Sequence, residues 1–175
     1  MLLLFLLVSC SHKYDPDILN LDFYQWNLWE DTTNTDDLLP SCGWEDFERG
    51  KGKLVRIPAS LEEHFPEHEL SGVFWYHCRF TLPDKWEELP ISLFFESASP
   101  IINVFLNEEE VGSFHVEEGS FEVDVTDQIY YTRDNHLAIR ISMVDGEGQR
   151  KESGITGTIL VKPELDKDRI QDSSE

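Results

Sequence analysis

The stretch from Val73 to Phe80, VFWYHCRF, decides the fold class of this chain. Large apolar side chains occupy every second position: Phe74, Tyr76, Cys78 and Phe80. A β-strand turns alternate side chains to opposite faces, so this period predicts a strand with one face buried in a core. Trp75 falls on the other face, and we expect another part of the chain to cover it because indole rings are buried on average.

Four later segments repeat the alternation: ISLFFE at 91–96, IINVFLN at 101–107, SFEVDV at 120–125 and HLAIRISM at 136–143. The stretches between them contain Pro, Gly, Asn and Asp, the residues that reverse a chain. No window sustains the apolar stripe of a long helix. The pattern predicts an all-β protein with an antiparallel β-sandwich, and the irregular connections favour a jelly roll over a simple meander.

The composition excludes some classes of partner. The chain has 175 residues, which suits one domain with a proper core, and its 35 acidic and 14 basic side chains give a net charge of −21. Such a charge repels phosphate backbones and anionic lipid headgroups, whose binding relies on Lys and Arg. We therefore expect a folded protein that does not bind nucleic acid.

The first residues, MLLLFLLVSC, resemble a bacterial lipoprotein signal. The apolar run from Leu2 to Val8 is too short to span a bilayer but suits a signal-peptide core. Leu7-Val8-Ser9-Cys10 resembles the lipobox, which implies cleavage before Cys10, lipidation of its thiol and anchoring in the bacterial cell envelope. A frayed apolar N-terminus is the alternative.

This organisation assigns 1–9 to the signal peptide, 10–22 to a lipid-anchored tether, 23–163 to the sandwich domain and 164–175 to a polar tail. Two cysteines lie within the domain. Cys42 and Cys78 could form a disulfide in an oxidising envelope compartment, or both could be free thiols, and the sequence leaves the two alternatives open.

Several short motifs together resemble one family. They are Trp75-Tyr76 before a strand that ends in Phe, Asn107 at a strand end, Asp124-Val125-Thr126, Asn135 two residues before Leu137-Ala138, and Ser153-Gly154-Ile155 before the last strand. In order and spacing, the region from about Leu54 to Val161 resembles the N-terminal sugar-binding jelly-roll domain, of the galactose-binding-like type, in glycoside hydrolase family 2, the β-galactosidase and β-glucuronidase group. Glu108 departs from the pattern, since the family usually has Gly there.

The resemblance implies carbohydrate binding without catalysis. In that family two Glu residues on a separate (β/α)₈ barrel carry out hydrolysis, and a barrel takes about 250 residues. We therefore expect a non-catalytic carbohydrate-binding envelope lipoprotein. The alternative is a protein-interaction module that docks onto a separate hydrolase or another envelope protein.

Two residues are candidates for contacting a sugar. The resemblance implies that Asp145, followed by Gly146, matches an Asp of β-galactosidases that reaches a sugar hydroxyl, although this pair could simply start a turn. Trp44 lies in the Gly-flanked stretch SCGWEDFERGKG and is the best candidate for an exposed aromatic platform, although it could instead plug the end of the sandwich.

Metal sites are not indicated by the residue spacing. His64-Phe65-Pro66-Glu67-His68 fits the H-x-x-E-H signature of inverted zinc proteases, but Pro66 disfavours one continuous helix that carries both His on one face. We therefore predict no metal site and no cofactor, apart from a weak case for structural Ca²⁺ at Glu108-Glu109-Glu110, for which a solvated turn is the alternative.

Overall fold

The structure is a computed structural model that describes residues 17–33, 38–67, 70–98, 101–115, 119–143 and 153–164. It contains the following strands: β1 Leu19–Asn20, β2 Trp26–Asp31, β3 Lys53–Val55, β4 Ala59–Ser60, β5 Gly72–Phe80, β6 Ile91–Phe95, β7 Ile101–Leu106, β8 Glu109–His115, β9 Phe121–Asp124, β10 Asn135–Met143, β11 Gly154–Ile155 and β12 Ile159–Pro163. Two short α-helices, α1 (Trp44–Glu48) and α2 (Leu61–His64), and 3₁₀ turns at Leu21–Phe23 and Asp84–Trp86 connect them.

The strands form two main antiparallel sheets. A six-stranded sheet has the order β3-β2-β5-β10-β7-β8, and a four-stranded sheet has the order β1-β12-β6-β9. A small third pair joins β4 to β11. Neighbours in the sheets are mostly distant in sequence, as in a jelly roll, so the predicted all-β sandwich is confirmed.

The main core lies between the two sheets and follows the predicted alternation. In β5 the side chains of Phe74, Tyr76 and Cys78 are fully buried in this core. Antiparallel pairing with β10 sets Ile141, Ile139 and Leu137 opposite these three residues, so the apolar period of one strand matches that of its neighbour. From the other sheet Leu93, Phe95, Ile159 and Val161 complete the core.

A second, smaller cluster covers the outer face of the six-stranded sheet. Phe47 of α1 packs on Trp75, with ring centroids 5.7 Å apart, and both side chains are fully buried. Val73, Phe105 and Ala138 join them in the cluster. The expectation that Trp75 would be covered is therefore confirmed, and the covering element is α1.

The turn between β7 and β8 contains Glu108 at the position where the resemblance led us to expect Gly. Asn107 and Glu108 both have positive φ, 53° and 73°. The Asn107 amide stabilises this shape by donating to Gln128 O at 2.7 Å and to Asn135 Oδ1 at 3.0 Å. Glu108 therefore adopts a left-handed conformation that Gly would adopt without strain.

The domain begins earlier than the predicted boundary at residue 23. Leu19–Asn20 pairs with β12, Leu21 is fully buried, and Asp22 accepts a hydrogen bond from the Ile159 amide at 3.2 Å. The predicted tether therefore includes at least four residues that belong to the sandwich.

The signal peptide, Cys10 and the tail beyond 164 lie outside the described residues. Within the described residues, no helix has both the length and the apolar character that crossing a bilayer requires.

Candidate functional site

A polar recess of about 540 Å³ opens on the outer face of the six-stranded sheet, beside α1. The residues that line it lie on β2, α1, β5 and β10 or directly next to them: Gln25, Asn27, Glu45, Glu48, Arg49, Gly50, His77, Arg79 and His136. We call this the α1 recess. Its volume lies within the range of ordinary small-molecule sites.

Strand register explains why these residues meet. In β5 the inward positions are even, so His77 and Arg79 face outward next to Trp75. Asn27 of β2 pairs with His77 on one side, and His136 of β10 pairs with Arg79 on the other. Three adjacent strands thus present polar side chains on one face.

The α1 segment forms the remaining wall. Phe47 holds it on the sheet, and Glu45 and Glu48 of the same turn line the recess. Gly50 follows the helix with φ of 95°, a conformation that suits Gly, and a Cβ there would lie 3.8 Å from the Asn27 amide. The chain therefore turns back onto β2 next to the recess.

Two imidazole rings form the floor of the recess. His77 Nε2 and His136 Nδ1 are 3.1 Å apart, and the rings stack with centroids 5.3 Å apart. One ring therefore donates a hydrogen bond and the other accepts it. The same His136 nitrogen lies 3.6 Å from Glu48 Oε2. The result is a short row of polar contacts from α1 to β5.

Burial determines the protonation of this row. His77 is 3% exposed, and burial lowers its pKa to about 4, with smaller contributions from His136 and Arg79. His77 is therefore neutral near pH 7, and its Nδ1 is buried without a hydrogen-bond partner. Burial raises the pKa of the Glu48 carboxyl, while His136 opposes this change.

The charges at the rim are nearly balanced. Arg49 forms ion pairs with Glu45 and Asp46, and Arg79 Nε lies 3.5 Å from Asp134 Oδ2. These pairs are exposed and contribute little to stability. The recess thus offers hydrogen-bond donors and acceptors without the strong negative charge of the chain as a whole, which suits a ligand rich in hydroxyl groups.

The predicted aromatic platform, Trp44, is the first residue of α1. Trp44 is half-buried and packs against Trp75 and Phe105, with ring centroids 5.8 Å and 5.4 Å apart. Its indole packs with the second cluster on the outer face, and its helix forms one wall of the recess; contact of Trp44 with a sugar stays a prediction. Asp145 and Gly146 lie outside the described residues.

The two domain cysteines are free thiols. Cys78 is fully buried in the core between the sheets, whereas Cys42 is partly exposed and packs with the second cluster on the outer face. The six-stranded sheet separates these environments, so the structure has no Cys42–Cys78 disulfide. Burial raises the pKa of the Cys78 thiol to about 12, which makes it a poor nucleophile.

The H-x-x-E-H stretch is not one helix. α2 ends at His64 and Pro66 follows in a turn, while His68 lies outside the described residues. In the acidic turn Glu110 accepts a hydrogen bond from Asn103 Nδ2 at 2.9 Å. Across the described ranges, no three His, Cys, Asp or Glu side chains are grouped so as to hold a metal ion.

The sequence did not single out the residues of the α1 recess. One signal was available, since the outward positions of β5 and β10 at this end of the strands are His77, Arg79 and His136. These residues indicate a site only when the strand register and the position of α1 are known.

Comparisons with known proteins agree with the fold. No protein-family model matches the chain. A β-galactosidase from Thermoanaerobacter pseudethanolicus is 25% identical over 101 residues, which are 55% of this chain and 14% of that enzyme. The matched portion is therefore a small part of the larger protein.

Solved structures give the same result. A glycosyl hydrolase family 2 member from Bacteroides cellulosilyticus has a TM-score of 0.62 at 17% identity, over 84% of this chain and 20% of its own. A β-glucuronidase from Ruminococcus gnavus has a TM-score of 0.63 at 19% identity, over 83% and 29%. The chain thus has the fold of one domain of these larger enzymes, and it resembles the N-terminal jelly-roll domain of glycoside hydrolase family 2.

Proposed function

We propose that this chain is a non-catalytic carbohydrate-binding module. The α1 recess supports the proposal most directly, because it is a polar recess of about 540 Å³ with nearly balanced rim charges on an otherwise acidic protein. The resemblance supports the ligand class, since the R. gnavus β-glucuronidase, part of which shares this fold, was solved with D-glucuronic acid. The chain spans 14% to 29% of the relatives named above, which is compatible with a binding domain.

The recess has the groups that sugar hydroxyls require. Asn27 offers an amide that both donates and accepts, and Arg79 offers guanidinium N–H groups from an exposed side chain. His136 remains partly exposed above the buried His77, so its ring can change partners when a hydroxyl arrives. Binding is expected between millimolar and micromolar, because few apolar surfaces contribute.

A glycan array followed by calorimetry tests the proposal. Arg79→Ala should weaken binding of the best glycan about tenfold, which corresponds to about 1.4 kcal/mol for one lost charge-assisted contact. Arg56→Ala is the matched control, because Arg56 is another exposed arginine that does not line the recess. Absence of binding to any glycan, or equal loss in both variants, would contradict the proposed function.

The lipobox resemblance extends the proposal to the cell envelope. Lipidation of Cys10 would place the domain at a membrane surface through one anchor. Metabolic labelling with a fatty acid should modify the full chain in a bacterial host and should not modify Cys10→Ser. Equal labelling of both proteins, or of neither, would exclude the anchor.

A second candidate is a protein-docking module. It is favoured by exposed apolar side chains, since Leu54 on edge strand β3 is 65% exposed and Phe23 is 76% exposed. A pull-down should capture a specific glycoside hydrolase with the wild-type chain and lose it with Leu54→Ser; equal capture would contradict docking through β3.

A further inference from the structure

The segment that contains strand β3 is basic in an otherwise acidic chain. Arg49, Lys51, Lys53 and Arg56 fall within eight positions, and no acidic residue lies between Arg49 and Leu61. The chain as a whole has a net charge of −21. We call residues 51–56 the basic edge. A local reversal of charge of this kind attracts acidic partners.

β3 lies at one edge of the six-stranded sheet. Among the described residues it pairs with β2 alone, so its other side presents backbone N–H and C=O groups that no neighbouring strand uses. Gly52 fixes the approach to β2, because its φ is 102° and a Cβ there would overlap the Leu28 carbonyl. The edge is therefore preformed, and an extended peptide can add to it as a further strand.

The register of β3 places its side chains on two faces. Leu54 pairs with Asn27 and shares the outer face with it, where the Leu54 side chain is 65% exposed. Lys53 pairs with Leu28 on the core side, and its ammonium group donates to the His64 carbonyl. An added strand would therefore meet an apolar side chain on the outer face and a lysine on the other.

The three cations of the basic edge are available for ion pairs with a partner. Lys53 Nζ lies 3.9 Å from the centroid of the Phe65 ring, and Lys51 Nζ lies 4.8 Å from the centroid of Trp29 on the outer face. Arg56 is exposed. Within the described residues, none of the three forms an ion pair with a carboxylate. An acidic segment can therefore gain ion pairs here without breaking any.

The charges also select among possible partners. Lysine on an edge strand discourages unselective pairing, so the same residues restrict the edge to an acidic strand. A second copy of the chain would set one basic edge against another, and like charges on paired strands repel. An anionic bilayer would neutralise the cations but would leave the backbone groups of β3 unpaired, and it would repel the acidic remainder of the chain.

We propose that the basic edge binds an acidic, extended segment of a partner protein, which adds to β3 as a further strand and places an apolar side chain against Leu54. The surface is that of the docking candidate, on which this proposal rests, but the partner need not be a hydrolase. Carbohydrate binding is independent of it, because none of residues 51–56 lines the α1 recess.

Fluorescence anisotropy with a labelled acetyl-EVEVEV-amide peptide tests the charge requirement. We expect saturable binding that weakens as NaCl increases, and no binding of the corresponding KVKVKV peptide. Arg56→Glu should weaken binding of the acidic peptide about tenfold, since an attraction becomes a repulsion. Arg133→Glu is the matched control, because it makes the same charge change at another exposed arginine, between β9 and β10, and it should leave binding unchanged.

An NMR titration of the ¹⁵N-labelled chain with the same peptide tests the addition of a strand. The Lys53, Leu54 and Val55 amides should shift on saturation, and Leu54→Ser should weaken binding about tenfold because an apolar contact is lost. The peptide EVEPEV should bind more weakly than EVEVEV, because Pro lacks the backbone N–H that pairs with an edge strand.

The outcomes separate this surface from the α1 recess. Peptide binding that persists in Arg79→Ala supports the proposal, even when the glycan array shows no sugar or the pull-down captures no hydrolase. No peptide binding at low salt, or equal weakening in Arg56→Glu and Arg133→Glu, would overturn it. So would sedimentation of the chain with phosphatidylglycerol vesicles in the absence of peptide binding, and so would a concentration-dependent dimer that Leu54→Ser abolishes.

Discussion

Burial of His77 predicts a specific loss of stability at acidic pH. The folded pKa of about 4 lies below the ordinary value of 6.5, so the unfolded chain takes up the proton first. This group's contribution to stability is therefore complete above pH 6.5 and falls as the pH decreases toward about 4. The difference between a pKa of 6.5 in the unfolded chain and about 4 in the folded protein corresponds to about 3 kcal/mol of stability.

Urea denaturation of wild-type protein and His77→Gln between about pH 7 and pH 4 measures this contribution. Many of the carboxyl groups also titrate toward the acidic end of the range, but they are shared by both proteins and largely cancel in the difference. We expect the stability advantage of the wild type over His77→Gln to decrease by about 3 kcal/mol across the range. Parallel curves would refute the reasoning, and so would an imidazole NMR titration that gives His77 a pKa near 6.5.

Three further predictions follow from packing and backbone shape. Glu108→Gly should stabilise the protein by about 1 kcal/mol in urea denaturation, because φ is 73° there, whereas Glu109→Gly in strand β8 should destabilise it. Phe47→Ala should lower the free energy of unfolding by about 3–5 kcal/mol and change tryptophan fluorescence, because Phe47 packs against Trp44 and Trp75. A decrease below about 1 kcal/mol would contradict this packing. In the native protein a thiol reagent mapped by mass spectrometry should modify Cys42 and not Cys78, and equal modification would contradict the burial of Cys78.

The central strands could be predicted from sequence because their pattern is strong. β5, β7 and β10 alternate apolar and other residues over most of their lengths, and the observed bounds differ from the predicted ones by at most one residue. β8 was missed because its sequence, EEVGSFH, does not alternate cleanly and begins with two acidic residues. Gly112 lies in it where the Phe114 ring would meet a Cβ at 2.5 Å, a packing detail that the sequence does not display.

The α1 recess could not be predicted because it depends on long-range register. Asn27, Glu48, His77 and His136 are separated by up to 109 positions, and only the pairing of β2, β5 and β10 brings them together. The placement of Trp44 depends on the same packing, because α1 is anchored through aromatic contacts and contributes its polar residues to the recess. The sequence alone cannot distinguish an aromatic side chain that packs on the sheet from one that faces a ligand until the position of its packing partner, Trp75, is known.

The α1 recess is the carbohydrate site that we propose. The most direct test is an NMR titration of the ¹⁵N-labelled chain with the glycan that scores highest on the array. We expect saturable shifts of the Asn27, Gly50 and His136 amides, with a dissociation constant that rises about tenfold in Arg79→Ala and is unchanged in Arg56→Ala. Unchanged recess amides at saturating glycan, whatever happens elsewhere in the domain, would contradict this proposal.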